Sequence, residues 1–218
     1  MPMKVTCTII LLGIILCFAV QNTRAAVYLS NLGETPSTVI PSSISGQNLW
    51  LAQTFHTGAA AGGYSLDSVQ LSLNVTGSPS GNFSVYVYGS TLNGGSPTTP
   101  LSTLTGPNPT TSGTYTFNAS GFSLSPSTFY WVVATTTANP AANPYSWNVA
   151  SDYNYATSDN WSIPQTPQYL SLDGSTWPHN FLIVNPFQFA VNATAVPEPG
   201  VLSLAGFGLA LTFLRRRI

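Results

Sequence analysis

Val69-Gln70-Leu71-Ser72-Leu73-Asn74-Val75-Thr76 decides the fold class. Val69, Leu71, Leu73 and Val75 alternate strictly with Gln70, Ser72, Asn74 and Thr76, and a period of two gives a strand one apolar and one polar face. The pattern recurs along the chain. Phe83, Val85 and Val87 alternate with Ser84, Tyr86 and Tyr88. Tyr115 and Phe117 alternate with Thr114, Thr116 and Asn118, and Phe187, Phe189, Val191 and Ala193 with Gln188, Ala190, Asn192 and Thr194. Residues 128–135 are nearly all apolar, which predicts a central strand buried on both faces. Residues 49–57 and 101–105 are shorter candidates.

Turn signals separate these runs: Asn93-Gly94-Gly95-Ser96-Pro97, Gly106-Pro107-Asn108-Pro109 and Ser112-Gly113. Asp173-Gly174 predicts a hairpin turn. Abundant Ser, Thr, Gly, Pro and Asn disfavour helices, and no amphipathic helix is read between the two ends. The expectation is an all-β domain, an antiparallel β-sandwich, jelly-roll-like. Residues 139–168 lack clean periodicity and predict a long loop region with one short strand at 145–149.

Charge excludes several partners. Residues 26–196 contain no Lys or Arg; their ionised side chains are Glu34, Asp67, Asp152, Asp159 and Asp173. A surface without cations does not neutralise phosphates, which argues against nucleic acid, and it offers no clamp for a phosphorylated or carboxylate substrate.

The basic residues sit at the ends. Residues 1–25 read as a signal peptide, with Lys4 as the positive region, residues 5–20 as the apolar region, and Thr23-Arg24-Ala25 before a cleavage ahead of Ala26. Cys7 and Cys17 both lie in that segment, so the mature chain would hold neither a disulfide nor a thiol. Its stability must then come from the core of residues 26–195. The tail, residues 196–218, holds Pro197, Glu198 and Pro199, an apolar stretch over 201–214, then Arg215, Arg216 and Arg217. The 19 residues from Gly200 to Ile218 would span about 28 Å as a helix, close to a bilayer core. The Arg cluster acts as a membrane stop signal, kept cytoplasmic by the positive-inside bias, which leaves the central domain outside the inner membrane.

This Pro-Glu-Pro motif, apolar helix and Arg cluster, in that order, resembles the PEP-CTERM sorting signal of Gram-negative bacteria. The resemblance implies processing by an exosortase near Pro197–Pro199, only transient residence in the inner membrane, and an association with exopolysaccharide in biofilm or floc. The central domain resembles the choice-of-anchor R domain across nearly all of residues 27–194. Asn31-Leu32-Gly33, Ala52-Gln53-Thr54-Phe55 with Thr57-Gly58, residues 64–73, Thr128-Phe129-Tyr130-Trp131, Trp161 and the stretch from Asp173 to Trp177 carry it. That resemblance implies a surface-exported domain and carries over no catalytic residues.

Constellations for catalysis are thin. Only His56 and His179 are available for a Ser-His-Asp triad, and no Gly-x-Ser-x-Gly elbow occurs. Of the five carboxylates, Asp152 and Asp159 share a loop and are the pair to consider for glycoside hydrolysis. Asp152, Asn154 and Asp159 also form a weak calcium candidate, short of an Asp-x-Asp-x-Asp-Gly run. No metal or cofactor is expected. The ring-rich loop is the remaining feature. Tyr145, Trp147, Trp161 and Trp177 would form a glycan-binding platform if exposed, with Tyr153, Tyr155 and Tyr169 nearby; otherwise they pin the loop to the sandwich. The favoured reading is an exported, non-enzymatic surface or matrix protein. The alternative is a carbohydrate-binding module with its site in loops 145–177.

Overall fold

The chain forms strands β1 (Ala26–Ser30), β2 (Pro36–Pro41), β3 (Ser43–Ile44), β4 (Gln47–Asn48), β5 (Trp50–His56), β6 (Tyr64–Val75) and β7 (Phe83–Ser90). It continues along β8 (Pro97–Leu104), β9 (Gly113–Leu124), β10 (Phe129–Thr136), β11 (Tyr145–Ala150), β12 (Ala156–Thr157), β13 (Tyr169–Ser171) and β14 (Phe189–Ala195). The computed structural model describes residues 25–41, 43–44, 46–79, 81–91, 94–142, 144–165, 168–178 and 185–198. Residues 1–24 of the expected signal peptide, and the tail from Pro199 with Arg215, Arg216 and Arg217, lie outside the described residues. Among the described residues no helix is long and apolar enough to cross a membrane.

The domain is all-β and sandwich-like, and every strand pairing is antiparallel. One sheet runs β13-β5-β10-β7-β8. A second runs β12-β1-β14-β6-β11-β2, with β9 also paired to β6, and β3 pairs with β4 in a separate two-stranded ribbon. Leu71 faces both Phe189 of β14 and Tyr115 of β9, so β6 is flanked on both edges. Leu51, Phe55, Val85, Val87 and Val132 from the first sheet join Leu66, Leu71, Phe117, Phe189 and Val191 from the second in one core.

β10 is the doubly buried strand that its composition predicts, with every residue after Phe129 buried. Its outer face carries Trp131 and Val133, which join Ala52, Tyr88, Tyr169 and Trp177 in a second apolar cluster. Proline sits where a missing N–H costs no ladder bond: Pro97 and Pro100 on edge strand β8, Pro36 and Pro41 at the ends of edge strand β2.

Two expectations need correction. The Asp173-Gly174 turn forms, but no strand follows it among the described residues to Pro178. Asp173 Oδ1 accepts the N–H groups of Ser175 (2.8 Å) and Thr176 (2.7 Å), so those donors are not available to a ladder. β1 and β2 were not expected. They are short, and β2 lacks a clean alternation, so their pairing is a tertiary outcome.

The chain ends share one end of the sandwich. Ala26 pairs with Ala193, Ala195 pairs with Tyr64, and Val196 N–H donates to the Gly63 carbonyl at 3.0 Å. The opposite end is closed by Thr137 N–H to the Asn82 carbonyl (2.9 Å), Asn48 Nδ2 to the Ala138 carbonyl (3.2 Å) and Thr76 N–H to the Pro144 carbonyl (2.9 Å).

Candidate functional site

The ring platform expected in loops 145–177 is not on the surface. Tyr145, Trp147 and Trp161 are each 1% exposed and Trp177 is 9% exposed. The reason for the first two is alternation along β11, which turns Tyr145, Trp147 and Val149 inward and leaves Ser146 and Asn148 half-buried. Trp147 stacks on Phe187 with centroids 4.5 Å apart and donates Nε1–H to the Gln188 carbonyl at 2.9 Å. Trp161 lies parallel to Phe55 at 5.8 Å and meets the edge of Tyr64 at 4.9 Å. Trp177 sets its edge against Tyr88 on the outer face of the five-stranded sheet. A sugar stacks only on a ring face that water reaches, so these four rings are packing, not platform.

The polar candidates are already engaged by neighbouring groups of the domain. Asp152 accepts the backbone N–H and the side-chain amide of Asn154, both at 2.8 Å. Asp159 instead accepts the Tyr64 phenol, in a turn where Asp159 and Asn160 have left-handed φ of 52° and 58°. Burial, then the Asp159 carboxylate, push the Tyr64 hydroxyl above the ordinary tyrosine range. Among the described residues no group of three or more His, Cys, Asp or Glu forms a metal-binding cluster. Asp152 has Glu34 as its carboxylate neighbour: desolvation, then the Asp152 charge, raise the Glu34 pKa. His56 packs on Phe129 with ring centroids 4.4 Å apart, and His179 lies outside the described residues. Pro197 and Glu198 are exposed just beyond β14.

A different surface gathers accessible rings. An open groove of about 630 Å³ lies on the outer face of the five-stranded sheet, at the end away from Ala26 and Val196. Trp50 and Tyr86, both half-buried, stack there with centroids 5.5 Å apart at 25°. They come from β5 and β7, and β10 between them contributes Thr135 to the floor. Gln47, Ser84, Thr137 and Leu172 complete the rim, and Leu172 is 61% exposed. None of the lining residues carries a charge.

The turn after β13 holds Trp50 in place. Ser171 Oγ accepts the Gly174 N–H at 2.9 Å and donates to Asp173 Oδ1 at 2.9 Å. Gly174 has φ of +72°, and a Cβ there would fall 2.7 Å from Cδ2 of the Trp50 indole. Only glycine both adopts that backbone and lets the indole lie against the turn. Sequence reasoning missed this groove, although the Ser84-Tyr86-Tyr88 alternation places the tyrosines on the outer face. Comparison with protein-family models gives no match, and comparison with curated proteins gives none.

Proposed function

We propose that this chain is an exported, non-enzymatic protein of the cell surface or extracellular matrix, sorted by an exosortase through its C-terminal signal and associated with exopolysaccharide. The observation that carries the reading is the shared exit of both chain ends. Ala26, the expected first mature residue, pairs with Ala193, and the Pro197-Glu198 motif leaves two residues beyond Ala195. In this reading both processing points face the inner membrane while the domain folds outside it, and the far end of the sandwich points away. Repeated crossing of the chain between the sheets, from β5 to β6 to β7 and from β8 to β9 to β10, suits a jelly-roll-like connectivity. The absence of Lys and Arg between residues 26 and 196 suits an extracellular domain, because trypsin-like proteases find no bond to cut.

Intact mass and cell fractionation of the native protein test this. A product that starts at Ala26, ends near Pro197–Pro199 and lies outside the inner membrane supports it. A product that keeps Arg215, Arg216 and Arg217 and stays in the inner membrane rules out sorting and leaves a plain anchor.

A further inference from the structure

The geometry points to the Trp50–Tyr86 groove as a binding site for a neutral glycan chain. The class of ligand follows from what lines the groove. Trp50 stacks on Tyr86 and lies against the Gly174 turn, so Tyr86 is the ring that offers its negative π face to the C–H-bearing side of a pyranose. Ligand hydroxyls need donors and acceptors that the fold has not already used. The Gln47 amide, the Ser84 hydroxyl and the Tyr86 phenol take no part in hydrogen bonds of the described residues. Thr137 Oγ1 accepts the Asn82 N–H at 2.9 Å and keeps its own proton to donate. The volume, about 630 Å³, falls within the roughly 300–1,000 Å³ of small-ligand clefts.

Charge narrows the ligand to an uncharged sugar. No lining residue is ionised, and the nearest carboxylate in sequence, Asp173 beside Leu172, is bound to the N–H groups of Ser175 and Thr176 and the hydroxyl of Ser171. A uronate- or sulfate-bearing polymer finds no cation between residues 26 and 196 and meets five carboxylates. Trp50 is also preorganised, and Tyr86 stacks on it: the Asp173 carboxylate fixes the turn, the turn presents Gly174, and Gly174 backs the indole. A platform already held in place loses little side-chain freedom when a ligand docks. The position suits a chain arriving from outside, since the groove lies at the end of the sandwich opposite Ala26 and Val196. The inference rests on the matrix reading for the source of the glycan; the site itself rests on the groove.

The test is affinity electrophoresis of the purified full chain in gels cast with dextran, laminarin, galactomannan or hydroxyethylcellulose, and with alginate as the anionic control. At least one neutral polymer is expected to retard the protein, and alginate is not. Tyr86→Ala is expected to weaken the interaction roughly tenfold. Gln47→Ala, on an exposed side chain, is expected to weaken it less while the melting temperature stays at the wild-type value, so the site remains testable if Tyr86→Ala does not fold. No retardation in any neutral gel overturns the proposal. So does retardation that survives both substitutions, or equal retardation by alginate. Sedimentation of the same samples addresses self-association: a dimer that Tyr86→Ala turns to monomer assigns the groove to a second copy and also overturns it. An inert groove in a protein correctly processed and found in the matrix defeats this inference alone. A binding groove in a protein retained whole in the inner membrane defeats the sorting reading alone.

Discussion

Gln53 and Asn31 hold the two sides of one residue. Gln53 Oε1 accepts the Phe187 N–H at 2.9 Å, and Asn31 Nδ2 donates to the Phe187 carbonyl at 2.9 Å. Asn31 Oδ1 then takes the Phe189 N–H at 2.7 Å. Both amides are buried, Gln53 at 0% and Asn31 at 1% exposure. They bind the segment leading into β14 to opposite sheets, alongside the backbone bonds that Pro186 and Gln188 make to Ala150 and Asn148.

Replacing Gln53 with Leu leaves the Phe187 N–H without its acceptor inside the core. An orphaned buried donor costs about 1–3 kcal/mol. Urea unfolding of Gln53→Leu is expected to show a loss of that size with an unchanged m-value. A variant as stable as wild type would show that the amide clamp contributes nothing net.

Trp161→Ala is expected to cost about 3–5 kcal/mol, since the indole is buried between Phe55, Tyr64 and Tyr28. Domain stabilities are about 5–15 kcal/mol, so much of the margin goes. Thermal melting reads the loss. A neutral melting curve would contradict the burial of this ring.

Gly174 and Gly77 separate backbone strain from crowding. Their φ values are +72° and +70°, but nothing lies within 4 Å of a Cβ on Gly77. Gly77→Ala is expected to cost about 1 kcal/mol, the usual cost of a left-handed alanine. Gly174→Ala should cost more, and it alone should alter the near-UV circular dichroism, because its methyl meets the Trp50 indole. Equal costs and unchanged spectra would remove the turn from any role in holding Trp50.

The Asp173 carboxyl lies far below the ordinary carboxylate range, held there by the N–H groups of Thr176 and Ser175 and the Ser171 hydroxyl. A depressed acid stabilises the folded state above its unfolded pKa, and that stabilisation disappears as pH falls through the folded value. The turn should therefore stay intact at pH 4 and loosen only in stronger acid. Carbon-detected NMR of the Asp173 carboxyl measures it; titration at an ordinary aspartate value would show the turn open in solution.

The sheets were legible wherever one face is apolar and the other polar. Residues 69–75, 83–88 and 114–118 all lie in strands with the expected inward face, and Thr76 falls just past the end of β6. β10 was legible from its unbroken apolar run. The site was not, because ring count does not say which rings stay wet. Tyr145, Ser146, Trp147, Asn148 and Val149 alternate just as Val69 to Thr76 do, and that signal already placed both rings inside. Trp50 gave no such signal: it lies in a strand buried on both faces, and its half-exposure depends on a turn more than a hundred residues later in the chain.

The pairing of Ala26 with Ala193 has a mechanical consequence. A pull between the two chain ends would load the hydrogen bonds of β1 and β14 one after another, so the strands would unzip at low force. A pull between the C-terminus and the groove end runs along the strands instead. It loads many ladder bonds at once, in shear, and the sandwich resists it. A domain tethered by its tail and gripped at its far end is therefore stressed along its strong axis.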